Sequence, residues 1–120
     1  MGAESIIEWQ DQLEVPAQRF EYTPGRFYCV PATYAIGHAV LDFGVKDEKG
    51  RPIGCALSYA QLEPRLPVTA TVQITRNGIR FGAVQRETLH KTIADAKAAA
   101  ERRARTARAR AVRTYGGAGK

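Results

Sequence analysis

Apolar and polar positions alternate along much of this chain, and the clearest alternation lies in its second half. Ala70, Val72 and Ile74 interleave with Thr69, Thr71, Gln73 and Thr75, the period-2 pattern of a strand with one dry face. Arg76-Asn77-Gly78 then supplies a turn, because Asn and Gly tolerate the positive φ of tight hairpins. Ile79, Phe81 and Ala83 repeat the alternation, so a hairpin is predicted from Val68 to Arg86.

A helix is predicted next, from about Thr92 to Val112. Thr92 is placed to cap it by accepting from the N–H of Asp95, whose carboxylate sits near the positive end of the helix dipole. At 100° per residue Ile93, Ala96, Ala100, Ala104, Ala107 and Ala111 fall in one stripe roughly 80° wide. Such a stripe lets a helix approach a sheet closely. The helix would run about 30 Å and the strands about 25 Å, so its arginine-bearing C-terminal turns are expected to overhang.

Earlier elements follow from the same patterns. Ser5-Ile6-Ile7-Glu8 has the form of a capping box, and Ile6, Trp9 and Leu13 follow at helical spacing, predicting a short N-terminal helix over Ile6 to Glu14 that Pro16 ends. Phe20-Glu21-Tyr22 and Phe27-Tyr28-Cys29-Val30 flank Thr23-Pro24-Gly25-Arg26, a type II turn signal, which predicts an aromatic hairpin closed by Pro31. Ala39, Leu41, Phe43 and Val45 on one strand, and Ile53, Cys55, Leu57 and Tyr59 on the next, predict a second hairpin around Asp47-Glu48-Lys49-Gly50-Arg51. Its opposite face, with His38, Asp42, Gly44, Gly54, Ala56 and Ser58, is small and polar enough to meet solvent or a partner. Gln61 to Pro67 connects to the last hairpin.

The fold class expected from these elements is α+β: a short N-terminal helix, an antiparallel sheet of three successive hairpins forming a curved sheet or small open barrel, and a long C-terminal helix packed on it. One domain over residues 1–114 is expected, with a disordered Gly-rich tail over 115–120.

Composition adds bounds. The 120 residues suit one domain, and 44% apolar with 25% charged residues is ordinary for a globular protein. No apolar run approaches a membrane span, and the N-terminus lacks a basic signal-peptide region, so a cytoplasmic protein without membrane contact is expected. Cys29 and Cys55 have no C-x-x-C spacing and are expected as buried reduced thiols, a disulfide between neighbouring strands being the alternative. Enrichment in Ala, Arg and Gly fits a GC-rich bacterial or phage genome, a statement about codons only.

Charge changes the picture more. Residues 1–67 hold six Lys/Arg and nine Asp/Glu, net −3; residues 68–120 hold twelve and three, net +9; together these make the +6 of the chain. No acid follows Glu101.

Catalytic signatures are absent. His38 and Asp42 share a strand face about 13 Å apart, an ordinary surface pair; His90 is expected in a solvated loop before the helix; and Gly116-Gly117-Ala118-Gly119-Lys120 has neither the strand nor the helix a phosphate loop needs. No enzyme and no cofactor is expected. The candidate nucleic-acid-binding residues are Arg76, Arg80, Arg86, Lys97, Arg102, Arg103, Arg105, Arg108, Arg110 and Arg113. On the helix, Arg102, Arg103, Arg110 and Arg113 lie to one side and Arg105 and Arg108 to another, while Arg80 and Arg86 are expected to share the hairpin face opposite Ile79 and Phe81. The plain alternative is a solvated, solubilising helix face.

Over about thirty residues, the hairpin-then-helix order ending in Lys91-Thr92-Ile93-Ala94-Asp95-Ala96-Lys97 resembles the DNA-binding arm modules of phage integrases and the last helix of double-stranded-RNA-binding domains. The RNA domain's leading helix and glycine pattern are missing here, and the integrase module leaves residues 1–67 unexplained.

Two functions are therefore expected to compete. One is a small non-enzymatic protein whose basic hairpin and helix contact a DNA or RNA backbone without base selection. The other is a phage- or plasmid-type accessory or inhibitor protein that binds a larger host complex, its basic helix meeting an acidic protein surface, or its exposed aromatics around Tyr22, Tyr28 and Tyr34 and its acidic N-terminal half meeting a basic partner. A homodimer through a strand edge is compatible with both.

Overall fold

The computed structural model describes residues 7–80 and 86–116. Strand alternation survives from sequence to structure almost unchanged. Ala39, Leu41 and Phe43 of β4 (Thr33–Lys46), Ile53, Cys55, Leu57 and Tyr59 of β5 (Pro52–Gln61), and Val68, Ala70 and Val72 of β6 (Val68–Arg76) are all buried on one face of an antiparallel sheet. The helix α1 (Ile93–Ala111) covers that face with Ala96, Ala99, Ala100 and Ala104, and Thr92 caps it by accepting from the Asp95 N–H at 3.0 Å. Alanine methyls let the helix sit low on the sheet. The two layers account for a molecule only 20 Å thick against 49 and 42 Å in its other dimensions.

The expected N-terminal helix and the three successive hairpins, as a curved sheet or small barrel, do not hold. Residues Gln10–Val15 form β1, paired antiparallel with β4 from Gln10↔His38 to Val15↔Thr33. The main sheet runs β1-β4-β5-β6, with two short strands, β7 (Ile79–Arg80) and β8 (Arg86–His90), both on the outer edge of β6. The physical reason lies in β4: its fourteen residues would leave a long row of unpaired N–H and C=O groups, and β1 satisfies part of it. Period 2 was present in Ile7, Trp9, Leu13 and Val15, in competition with the helical spacing of Ile6, Trp9 and Leu13. Ser5 and Ile6 lie outside the described residues.

The aromatic hairpin forms as expected, β2 (Gln18–Thr23) with β3 (Arg26–Val30), around Gly25 at φ +80°, but as a separate two-stranded sheet. The Asn77-Gly78 turn also forms, both residues at positive φ (57° and 77°). Its return strand pairs with β6 at Thr75↔Arg80 and again at Val72↔Arg86; the expected strand residues Phe81 and Ala83 lie outside the described residues. His90, expected in a loop, ends β8 opposite Val68.

Nor do the last turns of the helix overhang. β4 is longer than the hairpin strands, and Arg108 Nε donates to the carbonyl of Phe43 at 3.4 Å. Of the terminal stretch expected to lack structure, Tyr115 packs on the core and Gly116 ends a π-helical turn (Val112–Gly116), while 117–120 lie outside the described residues. Both cysteines are free; Cys55 is buried as expected and Cys29 is exposed. No helix among the described residues is long and apolar enough to cross a membrane.

Candidate nucleic-acid interface

The ten candidate cations divide into three groups. Four are held by the protein itself. Arg76 lies 3.6 Å from Asp47, whose carboxylate is fully enclosed and also accepts from the Lys49 and Arg51 N–H groups at 2.9 Å each and from Arg51 Nε at 2.8 Å. These donors, the Arg51 N–H first, hold the Asp47 carboxyl below its ordinary value. Lys97 pairs with Asp11 at 2.9 Å beside the rings of Trp9 and Tyr59, each centroid 5.7 Å away. Arg105 lies 3.6 Å from Glu101, and Arg108 reaches the Phe43 carbonyl.

Arg86, Arg103 and Arg110 converge. Together with Val72, Thr106 and Ala107 they line a cleft of about 270 Å³ between the edge strand β8 and the helix, and no carboxylate is among the described lining residues. Helical geometry places Arg103 and Arg110, seven residues apart, on one flank. Arg86 joins them because it pairs with inward-facing Val72. Arg103 donates to Thr88 Oγ1 at 3.0 Å and to the Arg86 carbonyl at 2.6 Å, and Thr88 Oγ1 lies 2.6 Å from His90 Nε2. The Arg103 Nε is buried and has no partner among the described residues. Burial, and then the charge of Arg86, lower the Arg103 pKa. Arg103 is thus held at the edge strand within the field of a second, like charge.

The remaining three lie apart. Arg102 and Arg113 are exposed on the outer side of the helix and its final turn. Arg80 pairs with Thr75 and lines a cavity of about 420 Å³ on the face of the sheet opposite the helix, with His38 and Asp42. Arg80 and Arg86 therefore do not share a face. The register explains it: between the two pairs, β6 advances three residues and the edge strand six, and the odd step reverses the face.

A second cluster escaped sequence reasoning. Tyr59 Oη donates to Asp11 Oδ1 at 2.6 Å, and Trp9 Nε1 donates to Glu101 Oε2 at 2.7 Å, tying β1 to β5 and to the helix. The Tyr59 hydroxyl and then Lys97 lower the Asp11 pKa, while burial and the Asp11 carboxylate raise that of Tyr59. Nothing in the sequence places Asp11 near Lys97 except the strand alternation shared by Trp9 and Val15. Among the described residues no group of three His, Cys, Asp or Glu side chains could hold a metal ion.

Compared with known protein families, curated proteins and solved structures, the chain matches none.

Proposed function

We propose that this chain is a non-enzymatic binding protein that grips a nucleic-acid backbone, DNA or RNA, without base selection. The observation that supports this reading is the convergence of Arg86, Arg103 and Arg110, from two elements, on one cleft with no acid among its described lining residues. Planar guanidinium groups suit phosphate oxygens, because their donors form a fixed fork. Arg102 and Arg113, on the outer side of the helix, extend the same positive half along a backbone. Arg76, Lys97 and Arg105 each face a carboxylate and Arg108 turns to the Phe43 carbonyl, all outside the cleft, so these four contribute bulk charge more than contacts.

The experiment is fluorescence anisotropy with labelled duplex DNA, duplex RNA and single strands, titrated across salt concentrations. Three phosphate contacts on duplex DNA correspond to a slope of about −2.7 for log K against log salt. The combined R86Q/R103Q/R110Q variant should lose most of that slope, while R76Q should leave it intact. Absence of binding at low salt, or an unchanged slope in the triple variant, would refute the proposal.

A further inference from the structure

Alternation along β8 turns Arg86, Thr88 and His90 to the helix side of the sheet, where they pair with buried Val72, Ala70 and Val68 of β6. With Arg103 of the helix they form one chain of contacts. Arg103 Nη2 donates to the Arg86 carbonyl at 2.6 Å and Nη1 donates to Thr88 Oγ1 at 3.0 Å, and that same oxygen lies 2.6 Å from His90 Nε2. His90 is not among the described lining residues of the arginine cleft, yet a single hydroxyl separates it from Arg103.

A threonine hydroxyl has one proton and two lone pairs. With the neutral ring protonated at Nδ1, the chain runs one way: Arg103 donates to Thr88, and Thr88 donates to His90. Protonation makes Nε2 a donor as well. The Thr88 oxygen then accepts from two cations, and the imidazolium and guanidinium charges meet across one atom. In the other neutral tautomer the hydrogen bonds differ, but the charge gained is the same.

The charges around His90 are mostly positive. Arg86 shares its strand face, Arg103 comes from the helix, and Arg65 and Lys91 line with His90 a cavity of about 360 Å³ that has no acid among its described lining residues. The acids nearest in sequence are Glu87, turned to the other face of β8, and exposed Asp95 in the first turn of the helix. Proton uptake beside an empty cleft therefore works against neighbouring cations. An anion on Arg86 and Arg103 offsets them. Arg103 commits two of its five N–H donors to β8, so it can engage that anion with the Thr88 contact intact.

We propose that His90, bridged to Arg103 by Thr88, couples the cleft to pH: an anion on Arg86, Arg103 and Arg110 favours protonation of His90, and protonated His90 tightens the anion by the same factor. This rests on the reading of the cleft as a phosphate site. Affinity then rises as pH falls through the range in which histidines titrate, from about 8 to about 5.

The test uses the whole chain and two readouts. In ¹H–¹³C spectra of the histidine rings, sulfate replacing chloride at fixed ionic strength should raise the His90 midpoint by about 0.7 in pH, equivalent to a coupling of about fivefold. The R86Q/R103Q/R110Q variant should show no rise. In fluorescence anisotropy, duplex DNA should bind the wild type about five times more tightly at about pH 5 than at about pH 8, and H90Q should remove that pH dependence. The wild-type titration does not depend on any variant folding. An unmoved His90 midpoint, a rise that persists in the triple variant, or a pH dependence that survives in H90Q would overturn the inference. Equal DNA binding at the two pH values would do the same and leave the nucleic-acid reading standing. No DNA binding at either pH, beside a rise with sulfate, would refute that reading and keep the coupling, with a small anion as the ligand.

Discussion

The hydroxyl of Tyr59 on β5 reaches across an intervening strand to donate a 2.6 Å hydrogen bond to Asp11 on β1. It can do so because Gly37 of β4, paired with both Tyr59 and Asp11, has no side chain under the ring. Three strands are thereby joined by one side chain, and Lys97 closes the group from the helix at 2.9 Å.

Tyr59→Phe should cost about 1 kcal/mol, the net value of a hydrogen bond to a half-exposed carboxylate. The Asp11 pKa is depressed below its ordinary 3.8, so the stability it provides is present above that value and is lost as pH falls through the lower folded value. Denaturant melts should show the difference from wild type shrinking in that acid range. In a ¹³C carboxyl titration, the Asp11 pKa should rise in the variant. Gly37→Ala should cost more, about 1–3 kcal/mol, because its methyl would overlap the Tyr59 ring. Gly37→Ala combined with Tyr59→Leu should recover part of the loss.

The low seating of the helix makes a second prediction. Ala100 is fully buried against the sheet, whereas Ala98 faces solvent. Ala100→Leu should lose about 1–3 kcal/mol by overpacking. Ala98→Leu should stay within about 0.5 kcal/mol. Equal melting temperatures for the two would contradict the helix orientation.

Asp47 organises the β4–β5 turn through three donors and an ion pair with Arg76, and its carboxyl pKa is lowered. Its contribution therefore exists above pH 3.8 and disappears as pH falls through the lower folded value. Asp47→Asn should melt below wild type at neutral pH, and the two curves should approach each other as pH falls below the ordinary 3.8 of an Asp carboxyl.

Thiol chemistry separates the cysteines. Burial pushes the Cys55 thiol up to about 12, and Cys29 is exposed. A maleimide should modify one thiol per native chain at Cys29, and the second only on unfolding. Rapid modification of both would place Cys55 outside the core.

Arg86→Gln should separate binding from folding. It removes the like charge beside Arg103 but retains the Arg86 carbonyl that Arg103 binds. Stability should hold or rise slightly at low salt, while the salt slope for nucleic acid falls by about 1. A loss of stability with unchanged binding would assign the cleft a purely structural role.

Much of the architecture was legible along the chain. Period-2 alternation placed Leu41, Phe43, Cys55, Leu57, Ala70 and Val72 on the buried face, the Asn77-Gly78 and Pro24-Gly25 turns followed from backbone chemistry, and Thr92 and the alanine stripe marked the helix. These are local rules, each written in a few adjacent residues. Tertiary structure decided the rest. Whether Ile6 to Glu14 coils or extends depends on the open edge of β4, which is not a local property. The face that Arg86 takes depends on an irregular register in the edge strand, and three of the ten candidate cations converge only because that register turns one of them towards the helix. Distances in sequence, such as the 86 residues between Asp11 and Lys97, carry no pairing information until the sheet sets β1 beside β4, within reach of the Lys97 side chain.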